Sequence, residues 1–154
     1  DGRLLETLGM PWLDAAWRLK QVMSLPHPAV FYRRGVFARA GGFDESFRIA
    51  GDYEFLLRAL RGREAHFLAD VVVSAMRVGG ASLDPARTWS VLAETYRARR
   101  MNVSPFPAPL WLWAAAKGAV RTLVLRVLGE RRARRCLDAM RRAAGRPPYW
   151  TVVE

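Results

Sequence analysis

Residues 41–61 read GGFDESFRIAGDYEFLLRALR, and this stretch sets the division of the chain into elements. The two adjacent glycines end any helix that precedes them, because glycine adopts the left-handed backbone of a helix end without steric cost. A helix is then predicted from Asp52 to about Arg61, since its apolar residues recur every three or four positions. This apolar stripe consists of Tyr53, Leu56, Leu57 and Leu60. We expect the stripe to face the core and residues 43–51 to form a loop.

Outward from this helix, apolar runs alternate with helical patterns. Strands are predicted at residues 3–8, at residues 29–33 and within residues 66–76, where Val71, Val72 and Val73 are typical of a fully buried strand. Further helices are predicted at residues 13–23, 36–40, about 84–101, 110–128 and 130–144, the last two divided near Gly129. Strands that alternate with helices favour an α/β fold.

The composition excludes several classes of protein. With 51% hydrophobic residues in 154, the chain is too apolar to be disordered. No run reaches the roughly 18 apolar residues of a spanning helix. The single cysteine, Cys136, excludes an internal disulfide and any cysteine-based zinc or iron–sulfur framework. The chain begins with Asp1 in the middle of a pattern, so we expect it to be a piece of a longer protein.

The positive charge is concentrated near the C-terminus. The net charge is +11; residues 117–146 hold ten basic and two acidic residues, a net of +8, whereas residues 1–116 have a net of +4. This basic tail predicts either an anionic partner or a solvated basic face. Its arginines lack interleaved aromatic residues and no RNA- or DNA-binding motif is present, so no nucleic-acid partner is expected.

A carboxylate stands at the start of the central predicted helix. Asp52 directly follows Gly51 and comes eight residues after the acidic residue Asp44. The helix dipole favours an ionised carboxylate there, and a neighbouring glycine lets the backbone approach a ligand. Such a group can act as a general base. Asp is also a favoured N-cap, so a purely structural role in capping the helix stays open.

Four short elements occur in a fixed order around this carboxylate. They are Pro26-His27-Pro28, the pattern R-R-x-x-F-x-x-x-G-G-F-D-E from Arg33, the pattern D-Y-x-x-x-L-R from Asp52, and Gly79-Gly80-Ala81-Ser82. Together they resemble the acceptor half of the family 2 glycosyltransferases. Those are inverting enzymes with the GT-A fold that use nucleotide-diphosphate sugars. The resemblance covers roughly residues 1–85, and the last element also reads as a simple turn.

The resemblance implies roles for individual residues. Asp52 aligns with the acid that deprotonates the acceptor hydroxyl, usually the second acid of a Glu-Asp pair, although Gly51 precedes it here. His27 is implied to lie near the donor phosphates, while an isolated histidine is also commonly a hydrogen-bonded structural residue. The loop that frames the acceptor pocket would hold Arg33, Arg34, Asp44 and Glu45.

The resemblance also implies a divalent cation, Mg²⁺ or Mn²⁺, held by a D-x-D element. No D-x-D occurs in this chain. Its ligands and the nucleotide-binding strands are therefore expected in a donor-binding half that precedes residue 1.

These inferences combine into one expected organisation. Residues 1–101 would be the acceptor-side half of a GT-A-type domain, residues 102–109 a Pro-rich linker, and residues 110–154 a basic helical appendage. The expected fold is α/β, the C-terminal part of a three-layer GT-A-type fold with a mixed sheet, followed by two helices.

The expected function is sugar transfer in cell-surface polysaccharide biosynthesis. The chain would be a fragment, inactive alone, of an inverting glycosyltransferase acting on a hydroxyl of a glycan or lipid-linked acceptor. The alternative is a non-catalytic module that binds a membrane or a partner chain. We expect a cytoplasmic location, peripheral on the inner face of the cell membrane if the Arg-rich tail contacts anionic lipid.

Overall fold

Helices account for the regular structure of the chain. The computed structural model describes residues 7–75, 85–145, 148, 150 and 151, and within them the backbone forms five α-helices, two short 3-10 helices and no β-strand. The α-helices are α1 (Trp12–Leu19), α2 (Arg34–Ala40), α3 (Gly51–Ala59), α4 (Thr88–Asn102) and α5 (Pro109–Ala143). The 3-10 helices are His27–Ala29 and Pro85–Arg87.

The expected α/β fold with its mixed sheet is therefore wrong for this part of the chain. Residues 27–29 turn in a 3-10 helix, and Phe31, predicted to be in a buried strand, is 80% exposed. Val72, at the centre of the other predicted strand, is 81% exposed. A short apolar run becomes a strand only if a neighbouring strand takes up its backbone hydrogen bonds, and the described residues provide no such neighbour. Most of the first predicted strand, residues 3–8, lies outside the described residues, as does the whole of residues 79–82.

Helix α3 lies at the centre of the core, as its apolar stripe predicts. Tyr53, Leu56 and Leu57 are buried, and they pack with Leu19 of α1 and Ala98 of α4. The hydroxyl of Tyr53 donates a hydrogen bond to the carbonyl oxygen of Leu19 at 2.8 Å, which satisfies its one polar group in the core. Burial raises the pKa of this phenol above its ordinary value. The first turn of α3 is thereby fixed against α1 and α4.

Glycines end or break the helices where the sequence predicts it. Helix α2 ends at Ala40, and Gly41 follows with a φ of 77°, which a residue with a side chain rarely adopts. The predicted division of the last two helices at Gly129 is confirmed, because this residue has φ 70° and ψ 165° inside α5 and separates residues 109–128 from residues 130–143. The predicted helices over residues 13–23, 52–61 and 84–101 are likewise confirmed, with ends shifted by a few residues.

The first half of α5 packs on α4. The indole nitrogen of Trp111 donates to the carbonyl oxygen of Leu92 at 3.2 Å, and a Cβ added to Gly118 would lie 2.9 Å from Cγ2 of Thr88. The two helices therefore approach closely at Gly118, where only a hydrogen stands in place of a side chain. Residues 103–108 connect them.

Candidate active site

Asp52 lies in the first turn of α3 and is half-buried. Its Oδ1 accepts a hydrogen bond of 2.7 Å from the backbone N–H of the next residue, Tyr53. The residue at the N-cap is Ala50, so Asp52 is not at the N-cap position, but the bond to Tyr53 supports the alternative that Asp52 has a structural role at the start of the helix. Helix α3 begins one residue earlier than predicted, and Asp52 is inside it.

A carboxylate of another helix binds the backbone that leads into α3. Glu94 of α4 accepts hydrogen bonds from the backbone N–H groups of Arg48 (3.1 Å), Ile49 (2.8 Å) and Ala50 (2.9 Å). Burial alone would raise the pKa of Glu94, but these N–H groups and the nearby Arg97 outweigh it, and its pKa lies below the ordinary value. These three donors precede the first turn of α3, which begins at Gly51, and one N–H of that turn, the N–H of Tyr53, is accepted by Asp52 itself.

Helix α4 also holds the loop that leads into α3. The guanidinium of Arg97 donates to the carbonyl oxygen and the hydroxyl of Ser46, at 3.2 and 2.7 Å, and stacks over the ring of Phe47 at 4.3 Å. A Cβ added to Gly51 would lie 3.5 Å from Cβ of Phe47, so this loop packs directly against the start of the helix. The backbone next to Asp52 is thus fixed on both sides.

Tyr32 is close enough to Asp52 to interact with its charge. Burial and the negative charge of Asp52 together raise the pKa of Tyr32 to about 12. The phenol oxygen lies 3.4 Å from Nδ1 of His27, in hydrogen-bonding range. The structure therefore connects two predicted site residues, Asp52 and His27, through a tyrosine that the sequence had placed in a buried strand.

The rings of His27 and Tyr32 pack with three further aromatic rings, and we call the five rings the aromatic cluster. Neighbouring ring centroids are 4.7–6.1 Å apart, in the range of favourable edge-to-face and offset contacts. The cluster consists of His27, Tyr32, Phe37, Phe43 and Phe55. The cluster brings together the Pro-His-Pro segment, helix α2, helix α3 and the loop of residues 41–50, which we call the glycine loop. Three of the four sequence elements therefore meet in space.

Arg58 fixes the glycine loop. Its guanidinium donates to the carbonyl oxygens of Ala40 and Gly42, the latter at 2.8 Å, which satisfies orphan acceptors at the end of α2. The same guanidinium makes two hydrogen bonds, of 2.9 and 2.8 Å, to Glu54, which is buried. Asn102 of α4 donates a further hydrogen bond to Glu54 at 3.2 Å. Helical spacing places Arg58 away from the apolar stripe of α3, and in the structure its long side chain belongs to this network.

The other predicted site residues are less closely engaged. Arg33 and Arg34 lie at the start of α2 and Glu45 lies in the loop before α3, all three exposed. Asp44 accepts a hydrogen bond from the backbone N–H of Ser46 at 2.9 Å, and hydrogen bonding to Ser46 lowers its pKa. Asp44 therefore shapes its own loop, and the three exposed residues surround the site without contributing to its internal hydrogen bonds.

The described residues form no metal site. Within residues 7–75 and 85–145 no three His, Cys, Asp or Glu side chains come together in a way that could hold a metal ion. An open cavity of about 260 Å³ lies beside α1, lined by Met10, Asp14, Trp17 and Arg18, and none of these residues belongs to the surroundings of Asp52.

Around Asp52 the structure assembles a half-buried carboxylate, a neutral phenol and an imidazole next to a glycine loop. A carboxylate in such a position can accept a proton from a hydroxyl group, and the phenol and imidazole can hydrogen-bond to the same substrate. No known family model matches the chain, and comparisons with curated proteins and with solved structures found no match.

Proposed function

We propose that the chain supplies the acceptor side of an inverting sugar-transfer reaction, with Asp52 as the general base. The observation that carries the proposal is the half-buried carboxylate of Asp52 in the first turn of α3, whose charge adds to burial in raising the pKa of Tyr32, the phenol in hydrogen-bonding range of His27. The order of the sequence elements that resemble the family 2 glycosyltransferases supports the same assignment. The support comes from these residues and their local geometry, since the described part of the chain has no sheet.

In the proposed reaction, Asp52 accepts the proton of an acceptor hydroxyl on a glycan or a lipid-linked sugar. The acceptor oxygen forms a bond to the anomeric carbon of the donor, and the bond from that carbon to the diphosphate breaks. The nucleoside diphosphate leaves with the electron pair, and the configuration at the carbon inverts. The chain must place the acceptor hydroxyl within about 3 Å of the Asp52 carboxylate. The carboxylate must also be unprotonated, so that it can accept the hydroxyl proton.

Tyr32 and His27 have a positioning role in this proposal. A phenol with a pKa of about 12 remains a hydrogen-bond donor at any physiological pH. Its proton can be shared with the acceptor sugar, while His27 holds the phenol oxygen from the other side. In this proposal, residues outside this chain bind the nucleotide-diphosphate sugar and a Mg²⁺ or Mn²⁺ ion.

The test is sugar transfer by the chain joined to the donor-binding sequence that the proposal requires. Transfer of radiolabelled sugar from a panel of nucleotide-diphosphate sugars to bacterial lipid extracts and soluble glycans would be measured. Loss of a general base lowers kcat by about 10²–10⁴-fold, so Asp52→Asn should reduce kcat at least 100-fold with little change in the KM for the acceptor.

The matched control is Asp70→Asn, the same chemical change at an exposed position in a turn. Its kcat should stay within about threefold of the wild-type value. Undiminished turnover in Asp52→Asn would remove this residue from the mechanism. Transfer by the 154 residues without any added sequence would contradict the assignment of donor binding to another part of the protein.

A further inference from the structure

Helix α5 presents an exposed apolar face between its start and the break at Gly129. Several large apolar side chains there have exposed fractions between 48% and 71%. At about 100° per residue they fall within an arc of about 100°, so they lie on one side of the helix. The opposite side packs on α4 through Trp111 and Gly118. We call this face the α5 stripe, and it consists of Leu112, Trp113, Val120, Leu123 and Val127.

Cations border the α5 stripe on both sides. Lys117 and Arg126 are exposed, and at about 100° per residue they fall on opposite sides of the stripe, each roughly 80–100° from its centre. The ammonium of Lys117 lies 5.7 Å from the centre of the Trp113 ring. No Asp or Glu occurs anywhere in residues 101–129. The exposed face is therefore apolar along its middle, cationic at its edges and free of negative charge.

The cationic character continues beyond the break at Gly129. In residues 130–143 several arginines are exposed, and the net charge of residues 117–146 is +8. These exposed side chains are Arg131, Arg132, Arg135 and Arg142. Within the described residues no helix has the length and apolarity that crossing a membrane requires.

We propose that the α5 stripe lies on an anionic membrane surface, with residues 109–128 parallel to the plane of the bilayer. The apolar side chains would enter the boundary between headgroups and acyl chains, and Lys117 and Arg126 would extend to lipid phosphates on either side. A tryptophan near one end of the stripe suits the headgroup level. An anionic lipid surface is the occupant that matches both the apolar middle and the uninterrupted positive border.

This inference does not depend on the proposed sugar transfer, and it refines the membrane contact expected from the sequence. From the sequence, the Arg-rich residues after Gly129 would make that contact by charge, while the apolar residues 110–128 suit either a membrane interface or packing against another part of the protein. The structure adds which apolar side chains of this segment are exposed and that they lie on one side of the helix. A charge-only contact and a contact through the α5 stripe respond differently to substitutions, so the two can be separated.

The experiment is co-sedimentation of the 154-residue chain with vesicles. One set contains phosphatidylcholine alone, and the other contains equal parts of phosphatidylcholine and phosphatidylglycerol. The chain should pellet with the anionic vesicles and weakly or not at all with the neutral ones. Because placing two carboxylates in the stripe removes apolar insertion and adds repulsion, Leu123→Glu with Val127→Glu should weaken the partition coefficient at least about tenfold.

The matched control makes the same two changes elsewhere. Leu13→Glu with Val72→Glu alters the net charge equally at positions that are each 81% exposed, and it should retain binding within about threefold. A second variant, Lys117→Gln with Arg126→Gln, keeps the stripe and removes its bordering charges. At about 1 kcal/mol per cation, or about fivefold each, it should weaken binding to anionic vesicles by about 25-fold at low salt.

Several outcomes would overturn the proposal. Equal losses in the stripe variant and in the Leu13/Val72 control would show that only net charge matters. Binding that does not depend on phosphatidylglycerol would remove the anionic surface as the occupant. A dimer that the stripe variant converts to a monomer, with no vesicle binding by the wild type, would assign the stripe to a second copy of the chain. Circular dichroism of each variant verifies that helix content is unchanged. If the stripe variant has lost helix, the test rests on the Lys117→Gln and Arg126→Gln variant instead.

Discussion

The carboxylate of Glu94 accepts a hydrogen bond of 2.9 Å from the backbone N–H of Ala50, and these two residues are 44 positions apart in the chain. Two further N–H groups in the preceding loop donate to the same side chain. Helix α4 therefore satisfies and fixes the backbone that leads into α3. This connection ties the stability of the candidate site to the packing of α4 against α3.

Removal of the Glu94 carboxylate should destabilise the chain. Glu94→Ala leaves three backbone N–H donors without their charged acceptor. Because hydrogen bonds to a charged group are among the stronger ones, the free energy of unfolding should fall by about 2 kcal/mol. Urea denaturation followed by circular dichroism measures it. The control is Glu64→Ala, an exposed carboxylate, which should change the free energy of unfolding by less than about 0.5 kcal/mol. Equal stability of the two variants would refute the contribution of Glu94 to the stability of the chain.

The contribution of Glu94 should also depend on pH. Its pKa in the folded chain lies below the ordinary value of 4.5, so the unfolded chain binds this proton more readily than the folded one. The stabilisation is then fully present above the unfolded pKa and is lost as the pH falls through the folded pKa. The difference in free energy of unfolding between the wild type and Glu94→Gln should stay constant from about pH 7 to 5.5 and shrink below about pH 4.5. A difference that grows on acidification would contradict the sign of this shift.

The helices could be predicted from the sequence because their signals are local. The spacing of Tyr53, Leu56 and Leu57 predicts α3, and Gly129 predicts the break in α5. The strands could not be predicted reliably, because a strand exists only if another segment pairs with it. Phe31 and Val72 lie in apolar runs that meet the composition of strands, yet both are largely exposed.

The candidate site could be predicted only in part for a similar reason. Asp52 and His27 are found in one region, as the ordered motifs indicate. Glu94 was missed because its partners are more than 40 positions away, and no local pattern marks a carboxylate that binds the backbone of a distant loop. Arg58 was missed because helical spacing places it outside the apolar stripe, while its long side chain reaches back to the end of α2.

Ionisation of Tyr32 tests its proximity to Asp52 without any substrate. The negative charge of Asp52 contributes to the raised pKa of this phenol, after burial. Asp52→Asn removes that charge, so the pKa of Tyr32 should fall from about 12 toward its ordinary value of 10.0, while burial keeps it above that value. Carbon NMR of labelled tyrosine at about pH 11 should show more phenolate at Tyr32 in the variant. Asp70→Asn should leave the signal unchanged, and an equal signal in both variants would show that Asp52 and Tyr32 are not electrostatically coupled.

The guanidinium geometry of Arg58 should matter beyond its charge. Lysine keeps the charge but cannot donate to Glu54 through two nitrogens while also reaching Ala40 and Gly42. Arg58→Lys should lower the free energy of unfolding by about 1.5 kcal/mol, because buried acceptors lose their donors. Arg100→Lys, at an exposed position on α4, is the matched control and should be neutral. Amide hydrogen exchange at Gly41 and Gly42 should accelerate only in the Arg58 variant, and unchanged exchange would show that Arg58 does not fix the loop.

The contact between α4 and α5 should respond to a single methyl group. Alanine normally stabilises a helix relative to glycine, yet a Cβ at Gly118 would lie 2.9 Å from Cγ2 of Thr88, closer than real Cβ atoms come. Gly118→Ala should therefore lower the free energy of unfolding by about 1–2 kcal/mol, since the helices must move apart. At Gly35 in α2 no atom lies within 4 Å of an added Cβ, so Gly35→Ala should stabilise by about 0.5 kcal/mol. Opposite signs of the two changes, measured by urea denaturation, would establish the close approach, and stabilisation by both would contradict the packing of α5 on α4.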